Sequence, residues 1–140
     1  MGKRNLQIAT AIFAAVPVAT GALALFHGAR SPLYSLPSNV VSPLLDSNYR
    51  FLGGEWLGVG LVAYWLIPRI ERQTILFRAI WCTIFLGGIG RVISLVTFGP
   101  PPPLYAAFII VEIFGAPVFI YWQHRVATSP PFARSPQISP

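Results

Sequence analysis

Glu55, Arg91 and Glu112 are the residues of this sequence best placed to do chemistry, because each interrupts a long apolar run. A charge at a bilayer centre costs about 2.5–3.5 kcal/mol on insertion scales, so such residues face a bundle interior and pair. A carboxylate can take a proton, or it can accept two parallel hydrogen bonds from an arginine fork. Counted from the same end of their runs, Glu55 lies about five residues in, Arg91 about seven and Glu112 about eight. At 1.5 Å per helical residue these offsets are roughly 7, 10 and 12 Å. The three are therefore predicted to meet at one depth, with Arg50 one turn above Glu55 closing the mouth of the cluster. Two acids for one internal arginine leave a carboxylate over, unless Arg50 or a proton serves it. That imbalance favours a binding pocket over a purely structural ion pair.

Small residues surround these charges. Gly54 and Gly58 are four apart, as are Gly87 and Arg91, and Gly88 sits within "FLGGIGRVISL". Gly90 and Ser94 form a further small pair. Small residues at this spacing let helix backbones approach. They predict close packing of the second and third helices, which would bring Glu55 within reach of Arg91.

Other constellations are weaker. His27 and His124 fall at opposite membrane faces and cannot clamp one haem between them. Cys82 is the single cysteine, so no intrachain disulfide forms and it reads as a small apolar residue. No Cys/His metal spacing, phosphate-cradling loop or nucleophile elbow occurs. No metal ligand and no catalytic residue is assigned, and the sequence identifies no cofactor. Trp56, Trp81 and the phenylalanines read as packing or lipid-facing side chains.

The elements that must position the cluster are membrane helices. The 140 residues are 54% hydrophobic and 10% charged, with mean hydropathy +0.63, against about 25% charged in soluble domains. Apolar runs approach or reach the roughly 20 residues that cross a bilayer. Four spans are predicted, at about 6–26, 51–67, 75–98 and 104–122. The fold class is all-α, a polytopic four-transmembrane-helix bundle in one domain over 1–126. A Pro- and Ser-rich, disordered cytoplasmic tail is predicted over 127–140. Pro17 and Pro117 interrupt the first and fourth spans, which membrane helices tolerate. Asp46 and Ser47 are candidate caps for the second helix. Gly99 before four prolines predicts a tight turn that makes the third and fourth helices antiparallel neighbours.

The net charge of +6 is spread between the runs and at the ends, so it does not indicate nucleic acid. It reads instead as orientation. Lys3, Arg4, Arg69, Arg72, Arg78, Arg125 and Arg134 fall on one side, against Arg30 and Arg50 in the opposite loops. Both termini are therefore expected to be cytoplasmic, in a bacterial inner or equivalent membrane. Tyr64-Trp65 and Tyr121-Trp122 mark the inner boundary, and Tyr49 and Tyr105 the outer one.

"LDSNYRFLGGEWLGVGL", "FLGGIGRVISL" and "VEIFGAP", in that order over about 45–120, resemble domain-of-unknown-function family 4345. Its members are small four-helix membrane proteins, broadly similar to DoxX-like proteins. The resemblance implies that Arg50, Gly53, Gly88, Arg91, Ser94 and Glu112 occupy the family's motif positions. Glu55 is not placed by it and rests on spacing alone. Because the family has no settled activity, the resemblance bears on architecture more than on function.

The function expected from these observations is non-enzymatic. The chain would bind a small ligand, or serve as an accessory subunit of a larger membrane protein complex, through the Glu/Arg cluster. Its surroundings would be the lipid bilayer. The alternative is a small membrane enzyme acting on a lipid, sterol-like or quinone substrate, with Glu55 and Glu112 as acid–base groups. The first span also resembles a signal peptide, with Lys3-Arg4 before it and Ala22-Leu23-Ala24 as a possible cleavage site, but its apolar stretch exceeds a signal core. Mass spectrometry of the purified protein should find residues 1–24 retained; a mature start after Ala24 would contradict the four-span reading.

Overall fold

The structure is a computed structural model that describes residues 2–34 and 36–128. Its helices are α1 (Lys3–His27), α2 (Pro43–Leu66), α3 (Thr74–Phe98), α4 (Pro103–Ile110) and α5 (Ala116–Thr128). A π turn, Val111–Gly115, joins α4 to α5. Counting α4 to α5 as one, four helices are long and apolar enough to cross a membrane. No strand occurs among the described residues. Ala127 and Thr128 continue α5 rather than opening a tail. The rest of the expected tail lies outside the described residues.

α2 starts at Pro43, eight residues before the apolar run begins at Phe51. The cause is a local start signal. Ser42 accepts a hydrogen bond from Leu45 N–H at 3.2 Å, and Pro43 fills the first helical position, where its missing N–H costs nothing. The expected caps Asp46 and Ser47 are thus already inside the helix.

α1 and α2 form the tightest pair, and glycine makes it so. A Cβ on Gly21 would lie 2.5 Å from Leu57 N, and one on Gly53 would lie 2.5 Å from Leu25 N. A Cβ on Gly60 would lie 2.7 Å from Val18 Cγ2 and 2.9 Å from Val18 N. The three contacts share one antiparallel register, so the backbones touch along most of both helices.

The glycines expected to join α2 to α3 do not do so. A Cβ on Gly58, Gly87 or Gly90 would meet nothing within 4 Å, and one on Gly54 would meet only Leu25 Cδ1 of α1, at 3.7 Å. Ser94 is exposed. Gly88 does serve close packing, but toward the fourth span: its Cβ would lie 2.9 Å from Glu112 Cβ. The bundle is therefore two hairpins, α1–α2 and α3–α5. The same four-residue spacing fits any neighbour, and sequence alone did not say which side each glycine faces.

The hairpins close on each other at the end that carries the N-terminus. Leu6, Leu66, Ile70 and Phe77 are buried there, and the Trp81 ring stacks on Phe119 with centroids 4.0 Å apart. Phe13 meets Phe119 edge-on at 4.9 Å. Polar groups seal the end. Gln7 Nε2 donates to Ile67 O at 2.9 Å, the buried Gln123 donates to Ile70 O and Thr74 Oγ1, and Lys3 pairs with Glu71 at 2.9 Å.

Thermal unfolding in detergent tests the glycine assignment. Gly21→Ala, Gly53→Ala and Gly60→Ala should each lower the melting temperature markedly, since backbone must shift. Gly58→Ala and Gly90→Ala should be neutral or stabilising by up to about 1 kcal/mol, because alanine favours the helix and meets no neighbour.

Candidate functional site

The site begins with Arg91 on α3. Its Nε donates to both oxygens of Glu112, at 3.1 Å to Oε1 and 2.9 Å to Oε2. Glu112 is 8% exposed, while the Arg91 side chain is 38% exposed, so the carboxylate is enclosed and the guanidinium faces open space. Neither terminal nitrogen of Arg91 is hydrogen-bonded among the described residues. The guanidinium instead lies 5.7 Å from the Tyr105 ring centroid and 5.8 Å from that of Phe108, within cation–π range.

Two local features aim Glu112 at Arg91. Gly88, one turn before Arg91, lets the fourth span approach α3 at this level. The π turn contains Glu112 itself. Pro117 has no N–H and cannot bond back to the Ile113 carbonyl. The widened turn just before it takes up that mismatch and re-phases the preceding side chains.

Beside the pair, the two hairpins separate around a cavity of about 550 Å³. Trp56 forms one wall from α2, with its Nε1 donating to Thr20 Oγ1 of α1 at 3.0 Å. Gly87, Gly90, Arg91 and Ser94 form the opposite wall from α3. The glycines are thus cavity wall, and their missing side chains are the space itself. The loop after α1 makes the roof. The Tyr105 hydroxyl donates to Leu33 O, and the Tyr34 ring packs 4.3 Å from that of Tyr49. Burial, then Tyr105 and Tyr49, push the Tyr34 phenol above its ordinary value, with Arg91 pulling the other way. Tyr34 is therefore a neutral hydroxyl at physiological pH.

A second cavity of about 240 Å³ continues toward the closed end of the bundle. It shares Val16, Trp56, Ile84, Phe108 and Glu112 with the first. Its lining is aliphatic and aromatic apart from Glu112 at one end and Thr10 at the other.

Two expected cluster members lie elsewhere. Arg50 holds α1 in place: its Nε donates to Asp46 Oδ2 at 2.7 Å, and its Nη1 donates to Leu25 O and Phe26 O at 3.0 and 2.8 Å. Those carbonyls are unsatisfied acceptors of the last turn of α1, so Arg50 is a C-terminal cap borrowed from the next helix. Asp46 Oδ1 accepts the Ala29 N–H at 3.0 Å, and Gly28 sits between at φ +59°, where a Cβ would strike Asp46. Glu55 is exposed and lines neither cavity. At 100° per residue it points about 200° from Gly53, which faces α1, and about 100° from Trp56, which faces the cavity. Depth alone placed it near Arg91; helical phase takes it away. Glu55 and Glu112 therefore cannot act as an acid–base pair on one substrate within this chain.

Trp56, Tyr34, Tyr105 and Phe108 line the cavity although little in the sequence marks them as lining residues. Aromatic side chains in an apolar sequence carry no mark that separates lining from packing. A signal existed in Trp56, which lies one residue from Glu55 and at the level of Thr20 across the hairpin. Among the described residues no group of three His, Cys, Asp or Glu could hold a metal ion.

The family described as Domain of unknown function (DUF4345) matches residues 5–123, so the chain belongs to it. No curated protein and no solved structure matches the chain.

The ion pair makes a specific demand on stability. Arg91→Met leaves Glu112 enclosed and unpaired and should cost on the order of 3 kcal/mol, whereas Arg91→Met combined with Glu112→Met should recover most of it. Chemical denaturation in detergent measures both. Equal losses for the single and double variants would show that the pair does not act as a unit.

Proposed function

We propose that this member of the family binds a small amphipathic molecule between its two hairpins, with the polar head at Arg91–Glu112 and the apolar body in the inner cavity. The observation that carries the reading is the arginine, whose charge is balanced by Glu112 while its terminal nitrogens stay open to the larger cavity. A structural pair needs no such opening. The volume of about 550 Å³ falls within the roughly 300–1,000 Å³ of small-molecule sites. Aromatic walls with a few convergent polar groups are the usual composition of such sites. The head would lie on the outer side of the membrane, given the positive-inside distribution of Lys and Arg.

A second reading, docking within a larger membrane protein complex, is favoured by Glu55. An exposed carboxylate inside a membrane-crossing helix calls for a partner. Gly58, one turn further along α2, leaves room for a partner helix beside it. The fitting partner carries a cationic or hydrogen-bond-donating side chain at the depth of Glu55.

Native mass spectrometry of protein taken from membranes in mild detergent tests both. Wild type should retain a small molecule, and Gly90→Leu, which adds a bulky side chain to the cavity wall on α3 where a Cβ meets no neighbour, should lose it. Retention by Gly90→Leu, or no bound molecule on wild type, would contradict ligand binding. Glu55→Leu should leave the small molecule in place and release any stoichiometric subunit; a subunit that stays bound to Glu55→Leu would contradict the docking role.

A further inference from the structure

We infer that Glu112 sets the charge that the larger cavity accepts, so that the site takes an uncharged amphiphile with a hydrogen-bond-accepting head and turns anionic ones away. The inference rests on the ligand reading above and narrows it to a chemical class. An arginine with no counter-charge in such a cavity would capture carboxylate or phosphate heads, because its planar fork matches both. Here the chain supplies the carboxylate itself. Both oxygens of Glu112 accept from Arg91 Nε, at 3.1 and 2.9 Å.

The charges around the cavity give the sign of what fits. Arg91 and Glu112 are the charged residues that line it, and they cancel. Arg50 is committed to Asp46 and to the last carbonyls of α1. An anionic head would therefore bring a net negative charge into the site with no cation left to meet it. Glu112 lines both cavities, so a head lodged at Arg91 would also sit beside its carboxylate. Like charges repel, and a charge taken out of water without a partner is strongly disfavoured.

The groups that remain open set the chemistry of the head. The terminal nitrogens of Arg91 donate and cannot accept. Tyr34 lines the same cavity and adds a neutral hydroxyl that can donate as well. A carbonyl oxygen, as in an amide, ester or ketone, accepts from these donors and adds no charge. An ammonium head offers them nothing. Glu112 is thus a specificity-determining residue: it leaves the arginine its hydrogen bonds and takes away its attraction for anions.

The test compares dodecanamide with dodecanoate, which are nearly the same shape and differ by one charge at mildly alkaline pH. Each is titrated into the full chain in phosphatidylcholine nanodiscs, and binding is read from tryptophan fluorescence, since Trp56 lines the cavity. Uptake by protein-free nanodiscs corrects for partitioning. Wild type should prefer dodecanamide by about tenfold or more, the scale of one hydrogen bond to a charged group. Glu112→Gln, which keeps the shape of the side chain and removes its charge, should reverse the preference. Equal or tighter binding of dodecanoate to wild type, or an unchanged ratio in Glu112→Gln, would overturn the role of Glu112 while leaving the ligand site standing. The wild-type comparison needs no variant, so it decides the matter even where Glu112→Gln does not assemble. Binding of neither probe to wild type, or binding to Gly90→Leu as tight as to wild type, would overturn the ligand reading and this inference with it.

Discussion

A guanidinium placed in an apolar layer has to be neutralised where it lies, and the bond from Arg91 to Glu112 is the constraint around which the half of this bundle away from the N-terminus is arranged. It requires α3 and the fourth span to meet at one level, which Gly88 permits by bringing the backbone against Glu112. It requires the carboxylate to point at α3, and the π turn before Pro117 supplies that phase. A regular helix through 111–115 would present different side chains to Arg91. The pair also leaves the guanidinium half open, so neutralising the charge does not close the space beside it.

The other hairpin is built on a different force. Gly21, Gly53 and Gly60 bring α1 and α2 together by backbone contact, and the Arg50–Asp46 pair then ties the end of α1 to α2. Each hairpin is thus internally committed, one by close packing and one by charge. They share a dense aromatic core only toward the end that carries the N-terminus, around Trp81 and Phe119. The cavity at the other end follows from this division. Two rigid pairs joined at one end diverge at the other, and glycines on α3 keep the gap clear.

Much of this was legible in the sequence. Apolar run lengths locate four helices long and apolar enough to cross a membrane, and charge within those runs points to Arg91 and Glu112. The partner assignment for Arg91 was half right, because helical rise gives depth but not the direction a side chain faces. Glu55 shares the depth and lacks the direction. The glycine spacing indicated close approach, yet four-residue spacing does not name the neighbour, so Gly54, Gly58, Gly87 and Gly90 were assigned to a contact that Gly21, Gly53 and Gly60 make elsewhere. Arg50 looked like part of the buried cluster because it is charged and near. Its actual work, capping carbonyls of a helix that precedes it by 24 residues, depends on a tertiary contact that no local pattern encodes.

The central claim is that the gap between the hairpins is an occupied site and not a packing defect. An experimental structure of the protein purified from its own membrane measures this most directly. Elongated density is expected between Trp56 and the glycine wall of α3, in contact with Arg91 and extending toward Trp81. A structure in which the hairpins close on each other, with Trp56 packed against α3 and no density between them, would contradict it.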